Sequence, residues 1–150
     1  MIQQTAEVLP SLYESDETAW LEAMSELIHQ GRLDELDYPH LREYLADMAR
    51  RDRREVKNRL TVLIAHLLKW TKQTAKRTRG WRRTIVVQRR ELVDLLESGV
   101  LRKHVEAVLP EVYEAAVDEA VAETGLPIEA FPDVCPYTLD QVLSPDILRE

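Results

Sequence analysis

The chain has 150 residues, 45% of them hydrophobic, with a single cysteine and a formal net charge of −7, the profile of one domain that builds its own core without disulfides or a metal. Cys135 has no second cysteine to pair with, residues 1–10 carry neither the charged nor the apolar portion of a signal peptide, and the longest apolar run, residues 62–68, is interrupted by His66 and falls well short of the ~20 residues that span a bilayer. No membrane association is therefore expected, and a reducing cytoplasm is the expected setting.

Residues 1–10 lack periodicity and read as a loose arm. Ser11 with Glu14 forms an S-x-x-E capping box, and Asp16 offers a second N-cap. Trp20, Met24, Leu27 and Ile28 then recur at helical spacing until Gly31, which stands where a left-handed C-cap residue is expected, so a first helix is predicted over 16–30. Glu26 and His29 have the E-x-x-H spacing of carboxylate metal sites in helical bundles, but such a site needs a second pair on another helix. None follows: His40 and Glu43 stand in the reverse order.

Asp37 and Pro39 open the next element, the proline in an early helical position where its missing N–H costs nothing. Leu41, Leu45, Met48, Val56, Leu60, Leu63, Leu67 and Trp70 trace one stripe that no glycine or proline interrupts, with Asp52 its only polar position. This predicts one helix over 39–70, about 32 residues or roughly 48 Å long, with a restart at Asp52 as the alternative. So long a helix outruns a compact domain of this size. Its polar middle, RRDRR at 50–54, is expected either to project past the core or to pack against a second subunit, which makes a homodimer one expectation.

Residues 71–80 contain no large apolar side chain and should lie on the surface. Trp81, Ile85, Leu92 and Leu95 or Leu96 define a helix that Ser98 and Gly99 end, and Leu101, Val105, Leu109, Val112, Ala116 and Ala120 continue a stripe to Gly125. Pro110 lies inside that stripe and predicts a kink or a break just before it. Residues 126–136, with Pro127, Pro132 and Pro136 around Phe131, read as an extended segment pinned by its apolar side chains. Thr138 and Gln141 form a T-x-x-Q capping box for a short last helix to Leu143. No alternating strand pattern occurs. The predicted fold is all-α: a single domain, a helical bundle of four to five main helices, with a Pro-rich extended C-terminal segment and a short final helix.

The order of Tyr13, Asp16 and Trp20, Gly31-Arg32, Leu36-Asp37, His66-Leu67-Leu68-Lys69-Trp70, Arg77 and Arg79, Trp81-Arg82, Arg89-Arg90-Glu91, Thr124-Gly125-Leu126-Pro127, Phe131-Pro132 and Cys135-Pro136-Tyr137-Thr138-Leu139 resembles the bacterial, largely cyanobacterial family called Domain of Unknown Function 29. The match runs from about Leu12 to the end of the chain, with H-L-L-K-W and C-P-Y-T-L its most specific blocks. The resemblance implies an all-helical fold and a bacterial cytosolic protein. It implies no activity.

Charge is strongly segmented. Residues 1–48 hold eleven acids and two bases, residues 49–90 fifteen bases and two acids, and residues 91–150 fourteen acids and three bases. Two tryptophan residues, Trp70 and Trp81, bracket Lys72, Lys76, Arg77 and Arg79, with Lys69 just before and Arg82 and Arg83 just beyond, and no acid occurs between 69 and 83. Bases interleaved with aromatics are the residue types that neutralise phosphates and stack nucleobases, and a helix start near Trp81 adds N–H donors for an anion. The plainer expectation is that both tryptophans fill the core and that acidic helices lie over the bases. His66 is a candidate acid or base because its pKa sits near neutrality, although a lone histidine among leucines is more often packed and satisfied by one hydrogen bond. Cys135, between Val134 and Pro136, reads as a small packing residue.

No Walker A, G-x-S-x-G, H-E-x-x-H, Cys–His zinc spacing or Gly-rich phosphate loop is present, so no cofactor and no metal are expected. Three functions are ranked. A non-enzymatic protein-interaction module docking an acidic protein partner or its own acidic helices comes first. A nucleic-acid-binding regulator using the basic 69–83 segment comes second, set back by the net negative charge. A small hydrolase or nuclease using His66 and a carboxylate from another helix comes last.

Overall fold

The computed structural model describes residues 8–149. Among them are six α-helices and no strand: α1 (Val8–Ser15), α2 (Glu17–His29), α3 (Tyr38–Lys72), α4 (Arg79–Leu95), α5 (Gly99–Thr124) and α6 (Leu139–Leu143), joined by short 3-10 turns. The fold is all-α, with four longer helices and two short ones. Contacts gather into two compact units that divide between Arg50 and Arg51.

In the first unit, Leu9, Trp20, Met24 and Leu27 are buried, with Leu12, Tyr13, Leu21, Leu36, Leu41 and Tyr44 packed against them. Asp16 caps α2 by accepting from the Ala19 N–H at 3.1 Å, and Gly31 follows the helix at φ +72°, as its place in the sequence predicts. The predicted loose arm needs correction. Positions 1–7 lie outside the described residues, but Val8, Leu9 and Pro10 form the first turn of α1, and Leu9 is fully buried. Ser11 therefore stands inside a helix and caps nothing. Pro10 is tolerated there because the first turn of a helix has no N–H bond to lose.

The second unit is built on one cluster in which Val56, Leu60, Leu63, Ile64, Leu67, Leu68 and Trp70 of α3 meet Ile85, Leu92 and Leu96, then Val105, Val112, Tyr113, Ala116 and Ala120 of α5, and finally Phe131, Leu139 and Val142. α3 is one continuous helix of 35 residues; Asp52 does not restart it. Leu45, expected on the buried stripe, is 59% exposed, because the α3 side chains packed on the first unit's cluster are Leu41 and Tyr44, one turn apart.

Two further features differ locally from expectation, in the role of Ser98-Gly99 and in the absence of a break at Pro110. Ser98 and Gly99 do not close α4. Leu96 is its C-cap, and Ser98 instead caps α5 by accepting from the Leu101 N–H, so Gly99 is the first residue of the next helix. Pro110 does not break α5, which runs unbroken through it. Gly125 ends α5 at φ +72°, and Thr138 and Gln141 form the predicted capping box around α6. Tyr113 Oη donates to the Pro132 carbonyl at 2.6 Å and, with buried Phe131, fixes the Pro-rich segment, which contains one 3-10 turn at Ile128–Ala130. No helix among the described residues is long and apolar enough to cross a membrane.

Candidate functional site

The basic segment spans the end of α3, a six-residue connector and the start of α4. The connector is shorter than the predicted 71–80, because α3 extends to Lys72 and α4 begins at Arg79, where Thr78 caps it by accepting from the Trp81 N–H at 3.0 Å. One of the N–H donors expected to attract an anion at Trp81 is thus already engaged by Thr78.

The structure sorts the candidate residues into two groups. Lys69, Trp70, Arg77 and Trp81 are turned to internal use. Lys69 is only 4% exposed; its Nζ makes a short ion pair with Glu123 of α5 and lies 5.0 Å from the centroid of the half-buried Trp81 ring. A buried ammonium needs such compensation, here a carboxylate and an aromatic face. Trp70 is 7% exposed, and its indole N–H is buried without a hydrogen-bond partner among the described residues. The Arg77 guanidinium lies 4.4 Å from the Trp70 ring centroid, and Arg77 Nε donates to the Trp70 carbonyl at 2.9 Å. That bond also satisfies one of the last carbonyls of α3, which a helix end leaves open. Neither tryptophan is free to stack on a base.

Lys72, Lys76, Arg79, Arg82 and Arg83 form the second group. All five are exposed, and none makes an ion pair with a described residue. Nearby bases behave differently: Lys57 pairs with Glu111 at 2.7 Å and Arg59 with Glu55 at 3.0 Å, Arg59 also donating to Gln88. α5 thus neutralises Lys57 and Lys69 of α3, whereas Lys72, Lys76, Arg79, Arg82 and Arg83 stay open. On α4, Arg79, Arg83 and the exposed Arg90 follow one another at i, i+4 and i+11, a stripe along the outer face of the helix.

His66 is half-buried, and its Nδ1 lies 2.9 Å from the Val62 carbonyl, so Nδ1 carries the proton of that bond and the neutral ring presents Nε2. Burial lowers its pKa; Lys69 adds to this, while the Val62 bond and the charges of Glu123 and Glu119 oppose it. Of the two carboxylates whose charge reaches it, Glu123 is engaged by Lys69. Burial pushes the Cys135 thiol up, opposed in part by a backbone hydrogen bond from Tyr137, and Sγ lies 3.3 Å from the Tyr137 carbonyl, to which the thiol donates; a raised pKa is the opposite of what a reactive cysteine requires. Among the described residues, no group of three or more His, Cys, Asp and Glu side chains is placed to hold a metal ion, and Glu26 of the E-x-x-H pair accepts a bond from Gln30.

One polar cluster escapes sequence reading. Asp37, 7% exposed, accepts from Trp20 Nε1 at 3.1 Å and lies 2.7 Å from His40 Nδ1, while the His40 ring stacks on Tyr13 at 4.3 Å and faces Glu14 at 3.6 Å. The D-x-x-H spacing at a helix start is its one local trace in the sequence, and Trp20 joins only through the tertiary fold.

Neither a curated protein nor a solved structure matches the chain. A family model does, over residues 12–148, and covers nearly all of the elements above. The chain belongs to the family described as Domain of unknown function DUF29.

Proposed function

We propose that this domain is a non-enzymatic interaction module that docks an acidic protein segment on the basic face formed by the connector and α4. The observation that carries the reading is the set of five exposed, unpaired cations, Lys72, Lys76, Arg79, Arg82 and Arg83, beside bases on α3 that α5 neutralises. Like charges this close repel within a Debye length of about 8 Å, and an anionic segment laid across them relieves that repulsion while steering its own approach. An acidic polypeptide fits better than a nucleic acid for two reasons. Both tryptophans are occupied by Lys69 and Arg77 and provide no stacking platform, and the net charge of −7 repels a long polyanion from the rest of the surface. A bacterial cytoplasmic setting belongs to the same proposal.

The test is fluorescence anisotropy with a labelled oligoglutamate peptide and with single- and double-stranded DNA and RNA, across a salt series. The wild type is compared with an Arg79→Glu, Arg82→Glu, Arg83→Glu variant whose helicity is checked by circular dichroism. The peptide should bind at low salt, weaken steeply as salt rises, and lose about tenfold or more in affinity in the variant. Tighter, variant-sensitive binding of nucleic acid would overturn the reading in favour of a phosphate site. No binding of any polyanion would overturn the docking function altogether.

A further inference from the structure

We infer that the acidic segment received by α4 is a groove on a second copy of this chain, so that the domain self-associates through complementary charged surfaces. This inference rests on the docking reading above. The groove, about 340 Å³ in volume, runs along α5 beside the Ile128–Ala130 turn and is lined in part by Glu114, Val117, Asp118, Ile128 and Asp133. None of its three carboxylates makes an ion pair with a described residue, whereas Glu106, Glu111 and Glu123 of the same helix are each paired. Tyr113 also lines it, but its hydroxyl is committed to Pro132, and its pKa is pushed up to about 12, first by burial. The charge of the groove at neutral pH is therefore carried by the carboxylates.

The two surfaces match in spacing as well as in sign. Arg79 and Arg83 are one helical turn apart on α4, and Glu114 and Asp118 are one turn apart on α5, which sets each pair of Cβ atoms about 5–6 Å apart. Beyond Arg83 the α4 face continues with half-buried Val86 and exposed Val87 before Arg90, and Ile128, 56% exposed, lines the groove together with its acids. A basic-apolar-basic helix face thus meets a groove that combines three carboxylates with apolar Val117 and Ile128. Both surfaces belong to the unit that begins at Arg51, and both stay open in one copy. Under two-fold symmetry each copy supplies one of each, and every contact is made twice.

Sedimentation velocity over a concentration series, at low and high salt, tests this with three proteins: the wild type, a basic-side variant (Arg79→Glu, Arg83→Glu) and a groove variant (Glu114→Arg, Asp118→Arg), each checked for helicity. The wild type should form a dimer that dissociates as salt rises. Each variant alone should be monomeric, because its two surfaces then carry the same sign. An equimolar mixture of the two variants should restore the dimer, a result that a misfolded variant cannot give. A monomeric wild type, a dimer that persists in both variants, or a mixture of folded variants that stays monomeric overturns the inference. Oligoglutamate binding to the same proteins separates the two levels: if sedimentation overturns the dimer while wild type and the groove variant bind the peptide and the basic-side variant does not, docking stands and self-association falls; if none binds, both fall.

Discussion

Replacing Asp37 by alanine should loosen the first unit more than any single surface change. The side chain is buried and holds two groups at once: the indole N–H of fully buried Trp20 at 3.1 Å and the His40 ring at 2.7 Å. Alanine leaves the indole N–H buried without an acceptor, which costs about 1–3 kcal/mol, and removes a carboxylate–imidazole bond worth about 1 kcal/mol at a partly exposed site. Together these come to about 2–4 kcal/mol, or a fall of roughly 6–12 °C in Tm for a chain of this size. Asp37→Asn keeps an acceptor for Trp20 and should cost about 1 kcal/mol. Thermal unfolding by circular dichroism gives the totals, and amide exchange locates them, with protection lost in α2 and retained in α5. An Asp37→Ala protein within about 0.5 kcal/mol of wild type, or an asparagine variant as unstable as the alanine one, would refute the argument that the acceptor is what matters.

Three further outcomes follow from single residues. Gly125→Ala should destabilise by about 1–2 kcal/mol and Gly125→Asn by less, because an added Cβ meets nothing within 4 Å and the whole cost lies in the backbone at φ +72°; urea denaturation measures it. Pro110→Ala should stabilise by about 1–3 kcal/mol, since α5 runs through this exposed position and alanine restores an N–H for the Glu106 carbonyl; destabilisation in the same assay would contradict it. His66 has its folded pKa held below the ordinary 6.5, so the unfolded chain takes up the proton first. The stability it contributes is therefore present above pH 6.5 and is lost as pH falls from there to the folded pKa. Between pH 8 and pH 5 the wild type should lose more stability than His66→Gln, and parallel pH profiles would contradict this.

Much of the fold is local and was legible for that reason. The long α3 follows from an uninterrupted stripe without glycine or proline, and the Asp16, Gly31, Gly125 and Thr138–Gln141 signals concern bonds made within a few residues. The errors arise where one local pattern serves two ends. Ser98-Gly99 reads as a helix stop, yet serine also starts helices, and here it caps α5. α1 was missed because its stripe, Leu9, Leu12 and Tyr13, is too short to show a period. At the candidate site, the burial of Trp70 and the packing of His66 were readable from the α3 stripe. The division of the basic segment was not: Lys69 is neutralised by Glu123, 54 positions away, and no sequence window contains both.

The central claim, that the outer face of α4 and its connector is a docking surface for acidic polypeptide, is tested most directly by mapping where such a ligand lands. Amide resonances of the ¹⁵N-labelled protein should be followed during titration with oligoglutamate at low salt. The account predicts shift changes concentrated between Lys72 and Arg90, reversed by added salt, with α2 and the buried α3 residues unmoved. Changes centred on His66, or scattered over all exposed bases including Arg42, Arg54 and Lys103, would contradict it.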